Sequence, residues 1–133
     1  EAGLSINWYL NSDFGIKFHN ENRAPIAGII DKNGANLTNL PFITLPSKCL
    51  IEKDKIYCAI PKLIKEGVVL PDDYYKRAVY FDDRLYEIDL AGGSSKLLIE
   101  NKDFPIDAEH LELSDGKLLF KNRYDNKLYS LAL

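Results

Sequence analysis

The sequence has no apolar run that approaches the roughly 18 residues needed to cross a membrane as a helix. It also lacks a basic stripe, because 17 Lys and Arg residues stand against 20 Asp and Glu residues, for a formal charge of −3. Nucleic-acid phosphates therefore have little to bind. We predict a chain with no membrane span and no nucleic-acid partner.

Motifs for catalysis or metal binding are absent as well. The chain has neither a Gly-x-Ser-x-Gly nucleophile elbow nor an Asp-x-Asp-x-Asp-Gly calcium loop. Its two histidines, His19 and His110, fall in unrelated predicted strands, and His110 alternates with Ala108 and Glu112 on what is expected to be a solvated face. We therefore predict no catalytic residues, no metal ligands and no cofactor.

What is present is a succession of short β-strands. A chain of 133 residues with 46% hydrophobic residues has room for one domain with a core. Apolar stretches bounded by Gly, Asn, Asp or Pro predict strands at 6–10, 15–20, 25–31, 42–45, 48–52, 55–60, 84–90, 95–100, 109–114, 117–122 and 127–133. Only 61–67, from Pro61 to Gly67, suggests a helix. The predicted class is all-β.

The strands fall into a repeated unit. The segment SDFGIKF at 12–18 is similar to SDGKLLF at 114–120, and the Asp31 to Gly34 turn is similar to the Asp89 to Gly92 turn. Three units follow, at about 5–45, 46–100 and 107–133, the first two with four strands and the last with three. Antiparallel four-stranded units of about 40–45 residues are typical of β-propeller blades. We predict a partial propeller over 1–133, with its last blade incomplete.

Three blades cannot close a ring, since propellers usually have at least four. We expect the chain to pair with the remaining blades of a longer protein, with another protein, or with a second copy in a six-bladed homo-oligomer. The strand-like start at Glu1 suggests that upstream residues were removed or never included. Exposed blade edges are templates for such pairing.

The two cysteines predict a disulfide. If Lys53 and Asp54 form a two-residue turn, cross-strand partners sum to 107, which places Cys49 directly opposite Cys58. A bridge at this position implies an oxidising compartment. The alternative is a pair of reduced thiols that fill adjacent core positions.

The second unit contains an insertion at about 61–82, rich in Leu, Val and Tyr, that either caps the blades or forms a contact surface. Tyrosine combines apolar area with a polar tip and is frequent at interfaces. Because they lie in this insertion or beside a turn, Tyr74, Tyr75 and Tyr124 are the candidate partner contacts.

Four carboxylates flank the insertion and form a candidate acidic rim: Asp72, Asp73, Asp82 and Asp83. Convergent carboxylates at a rim bind calcium or act as the acid and base of a glycosidase. The simpler reading is solvated loop charge, or ion pairs with neighbouring basic residues.

The segments TLPSKC, KIYCAIP, LPDDYYK and FDDRLYEIDL, with the C-terminal ELSDGKLLFKNRYDNKLYSLAL, resemble the last blades of TolB-like or WD-type propeller proteins. The similarity is greatest to a group of surface or secreted bacterial proteins, and it covers 44–133 well and 5–43 loosely. It implies the fold and an extracytoplasmic location, and it says little about activity.

We therefore predict a non-enzymatic, protein-binding or scaffolding propeller segment of an extracytoplasmic bacterial protein. Two alternatives remain. One is a carbohydrate-active propeller enzyme that uses the acidic rim, and the other is a structural subunit of a surface appendage. The sequence does not separate the scaffold from the appendage subunit.

Overall fold

The computed structural model describes residues 2–9 and 12–133, which form three antiparallel sheets of four, four and three strands. The all-β prediction is confirmed, and the described residues show no closed ring. Sheet 1 contains β1 (Ala2–Trp8), β2 (Phe14–Glu21), β3 (Ala24–Asp31) and β4 (Asn36–Asn39). Sheet 2 contains β5 (Cys49–Glu52), β6 (Lys55–Pro61), β7 (Asp83–Asp89) and β8 (Ser95–Ile99). Sheet 3 contains β9 (Ala108–Ser114), β10 (Lys117–Asn122) and β11 (Lys127–Ala132).

Sheet 2 lies between the other two and is buried on both faces. Ile56 and Cys58 of β6 pack in a cluster with sheet 1, whereas Tyr57 and Ala59 pack in a cluster with sheet 3. Successive side chains of a strand point to opposite faces, so a strand covered on both sides is an unbroken apolar run. The KIYCAIP sequence of β6 is such a run, which explains why it occupies the middle layer.

The repeated Asp turns have the same role in sheets 1 and 2. Asp31 ends β3, and its Oδ1 accepts hydrogen bonds from the backbone N–H groups of Asn33 and Ala35, at 2.8 and 2.9 Å. Asp89 ends β7, and its Oδ1 accepts from Ala91 and Gly92, at 2.9 and 3.2 Å. Each carboxylate thus accepts hydrogen bonds from backbone N–H groups in the turn that leads to the fourth strand.

The fourth strand of sheet 1 differs from the prediction, which placed it at 42–45. The strand that pairs with β3 is the polar segment Asn36–Asn39, whose residues are all exposed. The apolar segment 42–45 instead runs as a connection that contributes core side chains, with Leu45 buried and Thr44 Oγ1 donating to Ala59 O at 2.6 Å. A polar sequence suits an edge strand because it discourages pairing with other chains.

The predicted helix at 61–67 is also wrong. Pro61 ends β6, where it pairs with Asp83, and the following residues up to Gly67 form an irregular connection. The only α-helix in the described residues is a single turn, α1 (Asp72–Tyr75), and a 3-10 turn at Pro46–Lys48 precedes β5. At the other end of the chain, β1 begins at Ala2 instead of residue 6, and the predicted strand residue Leu10 lies outside the described residues.

The predicted cysteine register is confirmed. Lys53 adopts a positive φ of 56° in the turn, Cys49 is the direct partner of Cys58, and the two form a disulfide with a Cα–Cα distance of 4.2 Å. Both residues are buried in the cluster between sheets 1 and 2. The bridge therefore joins β5 to β6 within the part of sheet 2 that packs against sheet 1.

Reduction of the Cys49–Cys58 disulfide is expected to lower the free energy of unfolding by about 2–3 kcal/mol, because the bridge closes a short loop in the unfolded chain. Urea unfolding followed by the fluorescence of the single tryptophan measures the effect. The Cys49→Ala/Cys58→Ala variant is the control, since its transition should not respond to the reductant. Labelling of the native, unreduced chain by a thiol reagent under denaturing conditions would contradict the bridge.

Candidate functional site

The first strands of the three sheets border one cleft of about 750 Å³. Its walls come from residues 5–9 of β1 and the segment after it, from 46–52 around the start of β5 except for Lys48, and from 110–113 of β9. Tyr75 of α1 also lines the cleft. A concave site with both polar and apolar walls is the usual form of a binding site.

Side-chain hydrogen bonds attach β1 to the wall formed by sheet 2. The Tyr9 hydroxyl donates to the carbonyl oxygens of Cys49 and Pro46, at 2.8 and 3.2 Å, and accepts from Asn7 Nδ2 at 3.2 Å. Burial raises the pKa of Tyr9 above its ordinary value. The hydroxyl therefore stays protonated, and its hydrogen bonds connect two walls of the cleft.

Trp8 precedes Tyr9 in the sequence and is 50% exposed. Its ring covers Gly15 so closely that a Cβ built at Gly15 would lie 2.8 Å from Trp8 Cε3. Glycine is therefore required opposite Trp8, because a larger residue would displace the indole. The indole therefore packs on β2, and Trp8 is among the residues that border the cleft.

A bulge in β9 shapes the third wall. Leu119 of β10 pairs with Glu112 and Lys121 pairs with Glu109, so two residues of β9 lie opposite one residue of β10. His110 occupies this bulge with a φ of 54°. The predicted alternation of His110 with Ala108 is therefore wrong, since Ala108 is buried and His110 is exposed at the cleft. Bulges redirect side chains in this way.

Behind the cleft lies a fully buried charged network. The Lys48 side chain is 0% exposed, and its Nζ lies 2.7 Å from Asp83 Oδ2 and 2.6 Å from Asp107 Oδ1. The same ammonium group donates to Ala108 O at 2.9 Å and to the Tyr74 hydroxyl at 3.2 Å. A buried ammonium ion is tolerated only with such a set of partners.

Arg123 completes the network. Its Nη1 lies 3.0 Å from Asp107 Oδ2, and its Nη2 donates to Tyr74 O at 3.0 Å. The guanidinium carbon lies 3.8 Å from the centroid of the Tyr74 ring and 4.5 Å from that of Tyr80, within the range of cation–π attraction. Two cations and two carboxylates are thus enclosed together, and their formal charges cancel.

Burial controls the ionisation of the network. It raises the pKa of Asp83 to about 6, in spite of the attraction from Lys48, and Asp83 Oδ1 is buried with no hydrogen-bond partner in the described part of the chain. Burial acts in the opposite direction on Lys48, but the neighbouring Asp83, Tyr74 and Asp107 raise the pKa of Lys48 overall. Lys48 therefore remains a cation at neutral pH.

The network fixes the elements that carry the cleft. Lys48 lies between Ser47 and Cys49, which both line the cleft, and Asp107 leads into β9. Tyr74 directly precedes Tyr75, another residue of the cleft wall. Each wall of the cleft other than β1 is therefore held in place by a buried network residue that is close to it in the sequence.

The three tyrosines predicted as partner contacts differ in their exposure. Tyr74 is 2% exposed and bonded to the network, so it offers no accessible surface, and its prediction as a contact is corrected. Tyr75 and Tyr124 are 50% and 45% exposed. Tyr75 lines the cleft, whereas the Tyr124 hydroxyl donates to Phe81 O at 2.7 Å on another side of the chain. Their role as contacts stays a prediction.

The four carboxylates of the predicted rim do not act as a set. Asp83 is buried and paired with Lys48, which corrects its placement on a rim. Asp82 pairs with Lys62 at 3.0 Å, and Asp73 accepts from Val69 N and pairs with Lys76. Asp72 begins the single helical turn. Within residues 2–9 and 12–133, no three His, Cys, Asp or Glu side chains are grouped to hold a metal ion.

Sequence reasoning missed Lys48, Arg123 and Trp8 as members of a site. The motif around Asp107, Pro-Ile-Asp-Ala, carried one usable signal, because a carboxylate between apolar residues is often buried with a partner. No comparable signal marks Lys48 as that partner, since the two residues are 59 positions apart.

Comparisons with family models, with curated proteins and with solved structures found no match for this chain. A search of the described residues for a helix with the length and apolarity of a membrane span also found none.

Replacement of Lys48 by Met is expected to lower the free energy of unfolding by about 3–5 kcal/mol, because it leaves the carboxylates of Asp83 and Asp107 with one cation between them. Adding Asp83→Asn should recover part of this loss, since Asp107 and Arg123 then balance. Urea unfolding of the native chain, Lys48→Met, Asp83→Asn and the double variant gives the coupling free energy.

The matched control for Lys48→Met is Lys62→Met. Lys62 forms an ion pair of similar length with Asp82, but the two side chains are 22% and 44% exposed. Its loss should cost less than about 1 kcal/mol. Equal losses at the two positions, or additive effects of Lys48→Met and Asp83→Asn, would contradict the described network.

A second prediction concerns pH. Because the pKa of Asp83 is raised from 3.8 to about 6, the folded chain binds a proton at this carboxyl before the unfolded chain does. This contribution to stability is therefore complete below pH 3.8 and is lost as the pH rises through about 6. Relative to Asp83→Asn, the native chain should gain up to about 1.4 kcal/mol per unit of falling pH in this window.

Urea unfolding of the native chain and Asp83→Asn at several pH values between 4 and 6.5 tests this expectation. Other carboxyl groups titrate in both proteins, so the difference between them isolates Asp83. A difference with the opposite slope would show that Lys48 keeps Asp83 ionised below its ordinary pKa.

Proposed function

We propose that this chain is a binding segment of β-propeller type, whose three sheets are successive blades and whose ligand is a segment of another protein held in the cleft. The observation that carries the proposal is that β1, β5 and β9, each the first strand of its sheet, border the same cleft. Propeller blades are arranged in this way around a central channel.

The cleft has features that favour binding of an extended peptide. β1, β5 and β9 are end strands in the described order of their sheets, so each has one edge without a neighbouring strand there. Such edges present backbone N–H and C=O groups that pair with an added strand. Trp8 and Tyr75, both half exposed, supply the aromatic area that is common where binding energy is concentrated.

The proposed location is extracytoplasmic, in a surface or secreted bacterial protein similar to TolB-like propellers. The Cys49–Cys58 disulfide supports this part of the proposal, because such bridges persist in oxidising compartments. The chemistry of the site supports a binding role over catalysis, since the four predicted rim carboxylates are divided between buried and exposed positions instead of facing each other.

The proposal is tested by titrating the chain with a pool of random octapeptides while recording tryptophan fluorescence. The chain has one tryptophan, Trp8, which borders the cleft and is half exposed, so its emission should change when a peptide binds there. We expect a saturable change in emission, together with heat of binding in calorimetry. Peptide masses should remain unchanged after incubation, because no reaction is proposed.

Trp8→Ala should weaken binding at least about tenfold in calorimetry, as expected for an aromatic contact. Leu128→Ala is the matched control, because Leu128 is 71% exposed and does not line the cleft. Absence of both a saturable signal and heat with every pool would overturn the proposed binding function. Cleavage of the peptides would point to an enzyme.

A further inference from the structure

We propose that a second depression of the surface, beside Tyr80 and Tyr124, binds a neutral oligosaccharide whose sugar rings pack on the exposed surface of these two tyrosines. This tyrosine depression shares no lining residue with the cleft of β1, β5 and β9. The inference therefore does not rest on the proposed peptide-binding function, and it adds a second class of ligand.

The tyrosine depression lies against the long connection between β6 and β7. Its volume is about 740 Å³, and its walls come from 62–68 except for Ile64, from 78–82, and from Asp73 and Tyr124. Three of its 13 lining residues are aromatic, which is about twice the 11% aromatic share of the whole chain. Phe81 is buried, whereas Tyr80 and Tyr124 are 40% and 45% exposed. The depression thus offers aromatic surface to a ligand.

The ring of Tyr80 turns one face outward. The guanidinium carbon of Arg123 lies 4.5 Å from the centroid of this ring, and Arg123 is only 3% exposed. The interior therefore lies on the Arg123 side of the ring, and the opposite face accounts for the exposure of Tyr80. The centroid of the Tyr124 ring is 5.3 Å away, with an angle of 39° between the two ring planes. The two rings form one continuous, angled surface.

The hydroxyl groups of both tyrosines are bonded to the protein. Tyr124 donates to Phe81 O at 2.7 Å, and the Tyr80 hydroxyl is hydrogen-bonded to Arg77. These bonds hold the rings in place and leave the ring surface as the part that a ligand can contact. A proline-rich peptide would need donors for its carbonyl groups, because proline has no N–H, and here the hydroxyl of Tyr124 is already used as a donor. The arrangement is less suited to such a peptide.

A sugar ring matches the surface in two ways. Its C–H groups carry partial positive charge and pack on the negative face of an aromatic ring. Its hydroxyl groups both donate and accept hydrogen bonds. The charged side chains that line the depression supply both kinds of partner, as donors Lys62 and Lys65 and as acceptors Glu66, Asp73 and Asp82. Charges of both signs favour a neutral polar ligand over one that carries a single sign of charge.

The carboxylates of the depression suit binding instead of hydrolysis. Asp82 Oδ2 is paired with Lys62 Nζ at 3.0 Å. Hydrogen bonds from Val69 N and from Lys76 lower the pKa of Asp73. A glycosidase needs a carboxyl group with a raised pKa as its general acid. These two carboxylates are therefore hydrogen-bond acceptors for a sugar, and no reaction is proposed.

The test titrates the native chain with five neutral hexasaccharides and with the acidic hexamer of galacturonic acid. The neutral ones are β-1,4-linked glucose, mannose, xylose and N-acetylglucosamine, and α-1,4-linked glucose. At least one of them should bind with a Kd of about 1 mM or less in calorimetry. In proton–nitrogen NMR it should shift the amide signals of 62–68 and 78–82. The affinity should be the same at about 50 and about 500 mM salt, because the ligand is neutral.

Tyr80→Ala and Tyr124→Ala should each weaken binding at least about tenfold, because each removes a ring that the sugar contacts. Tyr80→Phe and Tyr124→Phe keep the rings and should stay within about twofold of the native affinity. The matched control is Phe104→Ala, which should bind like the native chain. Phe104 is 41% exposed and forms a tilted pair with Tyr129 outside the depression, with centroids 6.0 Å apart. Urea unfolding of every variant checks that it is folded.

The outcomes separate this site from the cleft. Absence of binding by every neutral hexasaccharide at about 5 mM would overturn the proposal, as would native affinity in folded Tyr80→Ala and Tyr124→Ala. Tighter binding of the galacturonic acid hexamer would overturn the assignment to a neutral ligand, and cleavage of a hexasaccharide would overturn a role in binding alone. Trp8→Ala should leave the oligosaccharide affinity unchanged, since a loss would place the sugar in the cleft. Failure of the peptide pools to bind would contradict only the proposed function of the cleft.

Discussion

The structure depends on the burial of one ammonium group. Lys48 lies in the interior with Asp83 and Asp107 within 2.7 Å of its Nζ, and desolvation of an isolated charge there would cost several kcal/mol. The cost is offset only when β7 and β9 bring both carboxylates to the start of β5. Folding of sheet 2 and its docking on sheet 3 are consequently linked through a single side chain.

The same requirement accounts for the form of the cleft. Ser47 and Cys49 flank Lys48, so a lysine held in the interior fixes the backbone of this wall of the cleft. Tyr9 fixes the facing strand through bonds to the carbonyl oxygens of Pro46 and Cys49. The walls are therefore held by the buried Lys48 and by the hydrogen bonds of Tyr9, and a cleft so supported is organised before any ligand enters it.

The sequence predicted the local features well. The strand pattern, the turn at Lys53 and the pairing of Cys49 with Cys58 follow from contacts between residues close in the chain. The failures have a common cause. The polar strand Asn36–Asn39 is selected by its place at an edge, and the role of Lys48 depends on Asp107, 59 residues away. Neither fact is expressed in a local pattern of apolar residues.

The charged residues in the interior are paired, whereas those at the cleft are not paired with a neighbouring wall residue. In the interior, the formal charges of Lys48, Arg123, Asp83 and Asp107 cancel, because an uncompensated charge there would destabilise the fold by several kcal/mol. At the cleft, the carboxylates of Glu52 and Glu112 have no basic residue among the walls that surround them. Pairing is therefore a condition of burial for the four interior groups, and the partly or fully exposed carboxylates at the cleft are not subject to it.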